Sequence, residues 1–376
     1  MGYNGPQQQM KKTLLFAVAM FVATFSFAQQ QLATLNHNDS ITVYYGATAF
    51  QQAYAAAIDG DIITLSSGSF SALDISKAIT IRGAGMYVDT VSGTAPTIIN
   101  GDFKILQFGS LSSHLRFEGI RFVEKIVFRI VNYPEFIKCE LYSIECSYRE
   151  NPNEGVNYAT FSNCIIENLV IGGRKNTSTV YANYYYTHFK NSVFNNSVIL
   201  SYLFNANSYS NYIDNSSDAN LNGYGTNNSF TNCIIKMHPN VARNYSTSNC
   251  VLFYSDSTLP SSSSLAYNTI GLNVSGGDAN YFDPSILDGQ NLHNYGSFSS
   301  VFKTFNGTYT SGGTSFELQD SIATSILGTD GTQVGIYGGA MPFNPYVRHP
   351  LVRRSNVASR STADGKLAVD IEIVTE

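Results

Sequence analysis

The sequence predicts an all-β fold: a single-stranded, right-handed parallel β-helix (a solenoid) with a short N-terminal capping helix. Two features of composition and one of pattern lead there. Charged residues make up 13% of the 376, about half the share usual in a soluble domain. Asn numbers 35, and 28 of these fall between Asn151 and Asn306. Together with Ser, Gly and 25 Tyr they favour short strands joined by tight turns over helices. The pattern is a repeat of an aromatic residue, any residue, Asn, then a small or apolar residue.

The repeat reads Phe161-Ser162-Asn163-Cys164, Phe189-Lys190-Asn191-Ser192, Tyr209-Ser210-Asn211-Tyr212 and Phe230-Thr231-Asn232-Cys233. Degenerate copies are Phe136-Ile137-Lys138-Cys139, Thr247-Ser248-Asn249-Cys250 and Ala266-Tyr267-Asn268-Thr269. Copies recur about every 22 residues, the length of one supersecondary unit that buries its apolar face only by stacking on its neighbours. Stacked coils stand about 4.8 Å apart. At that spacing Asn163, Asn191, Asn211, Asn232 and Asn249 are expected to form an inward amide ladder along the stack, at a bend whose left-handed backbone Asn tolerates. Phe then stacks on Phe and Cys on Cys. Five cysteines are too few and too scattered for a disulfide framework, so Cys139, Cys164, Cys233 and Cys250 read as small buried apolar residues.

Taken from the start of the chain, Lys11 and Lys12 precede an apolar run from Leu14 to Ala28, with small Ser26 and Ala28 at its end. That is the pattern of a cleaved signal peptide over residues 1–28, and the run falls short of the roughly 20 apolar residues that cross a bilayer. Export to the periplasm, cell surface or medium is expected, with no integral membrane segment after cleavage. Residues 29–345 are expected to form the β-helix and 346–376 a tail with a terminal strand. Thr48 to Ile58 reads as a short amphipathic helix, followed by Asp59-Gly60-Asp61, the apolar run Ile62-Ile63-Thr64-Leu65, Gly68-Ser69-Phe70, and a strand ending in Arg82-Gly83-Ala84-Gly85. These 40 or so residues resemble the opening of pectin-lyase-like right-handed β-helix proteins, in which a helix covers the first coil and removes an open strand edge. Near the other end, Gly328-Thr329-Asp330-Gly331-Thr332 through Gly338-Gly339 is similar to the closing coil of secreted Bacteroidetes-type β-helix proteins. Past Pro342, Pro345 and Pro350, the alternation in Lys366–Ile373 predicts a strand able to pair with a sheet edge or a partner chain.

The resemblance implies polysaccharide chemistry. Lyases of this kind use clustered carboxylates that hold Ca²⁺ together with an Arg or Lys base, and hydrolases use paired Asp. Neither signature is present in the sequence, where Asp214 and Asp218 are the best acidic pair and also fit a turn. The six His stand apart, without the ligand spacing of a metal site. A net charge of −5 excludes a nucleic-acid face. One aromatic constellation suggests a glycan platform: strand alternation puts Tyr184, Tyr186 and His188 on one face opposite Phe189, and Tyr202 extends it. The expectation is therefore an exported, non-catalytic protein that binds a polysaccharide or cell-surface glycan, or acts as an adhesin, through Tyr184, Tyr186, His188, Tyr202, Asp214 and Asp218, with no cofactor or metal. The alternative is a lyase or glycoside hydrolase of the pectin-lyase-like fold, the one reading in which Ca²⁺ enters.

Overall fold

The structure is a computed structural model, and it describes residues 31–106, 115–128, 130–146, 155–170, 189–190, 193–195, 198–199, 228–237, 245–254, 265–273, 292–347, 351–357 and 369–374. They form a parallel β-solenoid. The first sheet runs, in spatial order, Ser40–Tyr45, Leu32–His37, Ile62–Leu65, Thr80–Arg82, Leu115–Glu118, Pro134–Ile137, Thr160–Ser162, Val193–Asn195, Asn228–Thr231, Tyr245–Ser248 and Leu265–Tyr267. Leu32–His37 pairs antiparallel with both its neighbours, and every later pairing in the sheet is parallel. The second sheet climbs in step from Gly68–Ser71 through Thr97–Asn100, Arg121–Phe128, Glu140–Cys146, Ile165–Val170, Val198–Ile199, Ile234–Met237, Val251–Tyr254 and Thr269–Asn273 to Leu292–Tyr295. A short third sheet joins Ile130–Asn132, Gly155–Asn157 and Phe189–Lys190.

Where all three sheets are described, a coil is a strand of the third sheet, a bend, a strand of the first sheet, a second bend and a strand of the second sheet. The repeat sits on the second bend. Phe161 points into the core, Ser162 outward, and Cys164 inward again. Asn163 between them has φ +56°, and Lys138, Asn232, Asn249 and Asn268 hold the same left-handed conformation. A single residue there turns the chain from one sheet to the next, and Asn accepts that conformation more readily than most L-residues. The rings of Phe117, Phe136 and Phe161 stack along the axis with centroids 4.9 and 5.2 Å apart. The four thiols follow in the adjacent inward row. They are buried and unbridged, each within 3.2–3.4 Å of the carbonyl two residues earlier.

Register corrects two copies of the repeat. Phe194, not Phe189, pairs with Phe161 and Phe230, whereas Phe189 and Lys190 pair with Val156 and Asn157 in the third sheet. Asn191, outside the described residues, thus follows a third-sheet strand rather than a first-sheet one. Asn211 also lies outside the described residues. Val193–Asn195 pairs directly with Asn228–Thr231, and Val198–Ile199 with Ile234–Met237, so no further coil stands between them.

At the N-terminal end the helix Ala49–Ala56 buries Ala49, Phe50 and Ala53 and sets Phe50 edge-on to Phe70. Asp61 holds the turn at Gly60, its Oδ2 accepting the Ile58 N–H at 2.8 Å, and Asp59 ties that turn to a later strand, its Oδ1 accepting the Ala78 N–H at 2.9 Å. Lys77 Nζ donates to the helix-terminal carbonyls of Tyr54 and Ala57 at 2.7 Å. Gly83 is obligatory, since a Cβ there would run into the carbonyl oxygen of Gly119 in the next coil.

Among the described residues the last strand of the parallel stack is Leu292–Tyr295. After Leu292–Tyr295 the chain leaves the coil path and packs on the outside of the second sheet. Strands of that sheet are apolar on both faces: Ile235 and Leu252 fill the inner core while Ile234, Val251, Phe253, Ile270 and Leu272 face out. Val301, Phe302, Phe305, Phe316, Leu318, Ile322, Val334 and Ile336 close over the outward set as a second core. A sheet apolar on both sides must be covered on both, and a buried side chain of this size contributes about 1.5–3 kcal/mol. Leu351–Val357 and Val369–Val374 then form a separate antiparallel hairpin. No helix among the described residues is long and apolar enough to cross a membrane.

Candidate functional site

Tyr184, Tyr186, His188, Tyr202, Asp214 and Asp218 all lie outside the described residues. The structure instead brings together three arrangements of polar and aromatic residues, two of which hold the fold and one of which faces solvent.

The first runs along the row of left-handed bends. Residues 328–347 return antiparallel to the direction of the stack and cross these bends one after another. Thr329 N–H donates to Asn249 Oδ1 at 3.0 Å, and Asn249 Nδ2 donates to Thr329 Oγ1 at 3.3 Å. Gly339 presses on Asn232, where a Cβ would collide with Nδ2. Asn344 N–H donates to Asn163 Oδ1 at 2.8 Å, Lys138 Nζ donates to the Tyr346 carbonyl at 2.6 Å, and the Val347 side chain lies against Gly119. Asn163, Asn232 and Asn249 are thereby buried. Asn232 and Asn249 occupy adjacent coils, yet Asn232 Oδ1 has no hydrogen-bond partner among the described residues while the Asn249 amide is taken up by Thr329. The side chains latch the returning segment because a left-handed residue directs its amide out of the coil, toward whatever covers the bend.

The second arrangement centres on Glu140, 1% exposed on the outer side of the second sheet. Arg121 Nε lies 3.1 Å from Oε2 in the adjacent strand. Tyr309 OH donates to Oε1 and Ser311 Oγ to Oε2, each at 2.9 Å, and the hydroxyls of Tyr87 and Tyr309 are 2.5 Å apart. Burial, and then the charge of Glu140, raise the Glu167 carboxyl above its ordinary range; burial likewise raises the Tyr87 and Tyr309 phenols. Two carboxyl groups with an Arg suggest acid–base chemistry, but the Glu140 oxygens are occupied by three donors from the protein itself. A general base needs a free lone pair within reach of a substrate proton. This cluster fastens the covering segment to the solenoid. Among the described residues no group of three or more His, Cys, Asp or Glu stands close enough to hold a metal.

The third arrangement is exposed. Tyr133 and Tyr158 occupy the first bend of successive coils, their rings stacked 4.8 Å apart and 9° from parallel. Both have φ +56°, and Tyr158 remains 44% exposed. An aromatic residue in this conformation is a genuine outlier, costing roughly 1–2 kcal/mol per residue against the ordinary basins. The sequence carries a signal for it: each Tyr precedes a motif aromatic by three positions, in Tyr133-Pro134-Glu135-Phe136 and Tyr158-Ala159-Thr160-Phe161. On the neighbouring first-sheet face, Arg82, Arg116, Glu118 and Glu135 form an ion-pair chain with contacts of 3.2–3.5 Å. In comparison with known proteins, no family model, no curated sequence and no solved structure matches this chain, and its functional reading rests on these geometries.

Proposed function

We propose that the chain is exported and binds glycan, without catalysis, through tyrosines presented at its coil bends. The observation that carries this reading is the Tyr133–Tyr158 pair. Two consecutive bends keep a bulky aromatic where Asn or Gly is favoured, and strained backbone conformations cluster where the side chain has a use beyond the fold. Exposed Tyr provides apolar area for a sugar ring and a hydroxyl for hydrogen bonding. Export is supported by Lys11, Lys12 and the Leu14–Ala28 run, and a polysaccharide partner by the resemblance of residues 48–85 to pectin-lyase-like proteins.

The test is a panel of plant, host and bacterial glycans, scored for binding and for release of unsaturated or reducing ends, with Tyr133→Asn/Tyr158→Asn as control. Binding without product release is expected, and the double variant should lose retention while its melting temperature holds or rises as strain is relieved. Retention unchanged in the variant, with a lowered melting temperature, would show that the tyrosines serve packing alone.

A further inference from the structure

We infer that the chain pairs with a second copy of itself through the open edge of its first sheet, the strand Ser40–Tyr45 lying antiparallel to the same strand of the other copy.

The hairpin geometry decides what this edge offers. Asn38 and Asp39 both take positive φ, so a two-residue turn of the I′ kind links Leu32–His37 to Ser40–Tyr45 and makes His37 and Ser40 a hydrogen-bonded pair. Bonded and non-bonded pairs then alternate along the hairpin. The Gly46 N–H, which donates to the Gln31 carbonyl at 2.9 Å, keeps that alternation at the far end. Ser40, Thr42 and Tyr44 therefore direct their backbone groups to Leu32–His37, and Ile41, Val43 and Tyr45 turn theirs to the open edge. The same three residues carry the outward side chains. Thr42 and Tyr44 stand opposite Leu35 and Ala33, which are buried inward, and this leaves Ile41, Val43 and Tyr45 on the outer face, 67%, 39% and 58% exposed. The helix Ala49–Ala56 lies against the inner side, where Tyr44 packs on the core.

An open edge is normally blunted by a charge, a Pro or a bulge. Ser40–Tyr45 contains no charge and no Pro, and its register with Leu32–His37 is unbroken. Among the described residues no strand pairs with its other side.

A second copy fits because the strand is complementary to itself. About a two-fold axis at Val43, Val43 faces Val43, Ile41 faces Tyr45 of the second copy, and Thr42 faces Tyr44 of the second copy. The axis falls on a residue whose N–H and C=O both point to the edge, which is the condition for a bonded antiparallel pair. Both backbone groups of Ile41, Val43 and Tyr45 are then satisfied at once. On the outer face every apolar side chain meets another, with the aromatic–β-branched match that favours cross-strand contact. The two-fold uses the same patch on both copies, so the assembly closes at two. The C-terminal hairpin also offers strand edges, but it carries Arg353, Arg354, Asp370 and Glu372 and would bring charge to an apolar row. A single strand pair is a small interface, and the dimer is accordingly reversible and dependent on concentration.

The test is sedimentation velocity of the full chain over a concentration series, for the wild type, Val43→Lys, Val43→Glu and an equimolar mixture of the two variants, each checked by thermal melting. Because the axis sets position 43 against itself, either charge repels its own copy, whereas Lys and Glu attract one another. A monomer–dimer equilibrium is expected in the wild type, with the dissociation constant raised at least tenfold in each variant alone and the dimer recovered in the mixture. Should Val43→Lys or Val43→Glu not fold, Ile41→Lys mixed with Tyr45→Glu replaces them, since those positions face each other in the same register. A wild type that stays monomeric throughout the series overturns the pairing. So do a dimer that survives both substitutions at Val43, a mixture that stays as monomeric as its components, and growth beyond the dimer.

Discussion

Replacing Asn163 separates the two jobs that a bend residue does in this fold. The side chain accepts the Asn344 N–H at 2.8 Å, and the backbone holds φ +56°. Asn163→Gly removes the first contribution and leaves the second satisfied, because Gly adopts positive φ freely. Asn163→Ala removes the acceptor and also places a Cβ-bearing residue, without the local hydrogen bonding of Asn, in the left-handed basin. A net hydrogen bond contributes about 0.5–1.5 kcal/mol, and more if the abandoned N–H stays dry. The Gly variant should therefore lose about that amount, and the Ala variant roughly a further 1 kcal/mol from the backbone. Each tenfold change in an opening equilibrium corresponds to about 1.4 kcal/mol, so hydrogen exchange at the Asn344 amide should quicken roughly two- to tenfold in Asn163→Gly. Amides of the flanking core strands should change little, since a latch on the returning segment opens locally before the stack does. If Asn344 kept its protection while amides of the coils above and below Asn163 lost theirs, Asn163 would be bonded along the stack and the latch reasoning would fail.

Two further outcomes follow from the buried groups. The folded-state pKa of Glu167 is raised by burial and by Glu140, so its contribution to stability is fully present below the ordinary carboxylate range and is lost as pH rises through the raised value; melting temperature should decline across that window, and Glu167→Gln should remove the decline. Cys139, Cys164, Cys233 and Cys250 are buried thiols, and burial raises the Cys139 pKa further from the reactive thiolate. They should resist alkylation in the native protein, react after unfolding, and show no mass shift on reduction; a disulfide-linked peptide joining any two of them in an unreduced digest would overturn this.

Much of this architecture can be read from residues alone. A recurrent Phe-x-Asn-Cys specifies an inward aromatic, an outward polar residue, a left-handed turn and an inward thiol, because each of these is a local preference of one residue type. Register was not legible in the same way. Phe189-Lys190-Asn191 and Phe194-Asn195-Asn196 satisfy the pattern almost equally well, and hydrogen bonding to the adjacent coils selects the second.

What covers the outward faces was decided by tertiary structure. Residues 328–347 return along the bends and bond to Asn249, Asn163 and Lys138. Partners such as Glu140 with Tyr309 and Ser311, or Asn163 with Asn344, are separated by 169, 171 and 181 residues. Residues so distant leave no periodic trace, because the contact depends on where the whole stack has carried each of them. A repeat records the forces acting between neighbouring coils, and a segment folded across many coils obeys forces that no single repeat contains.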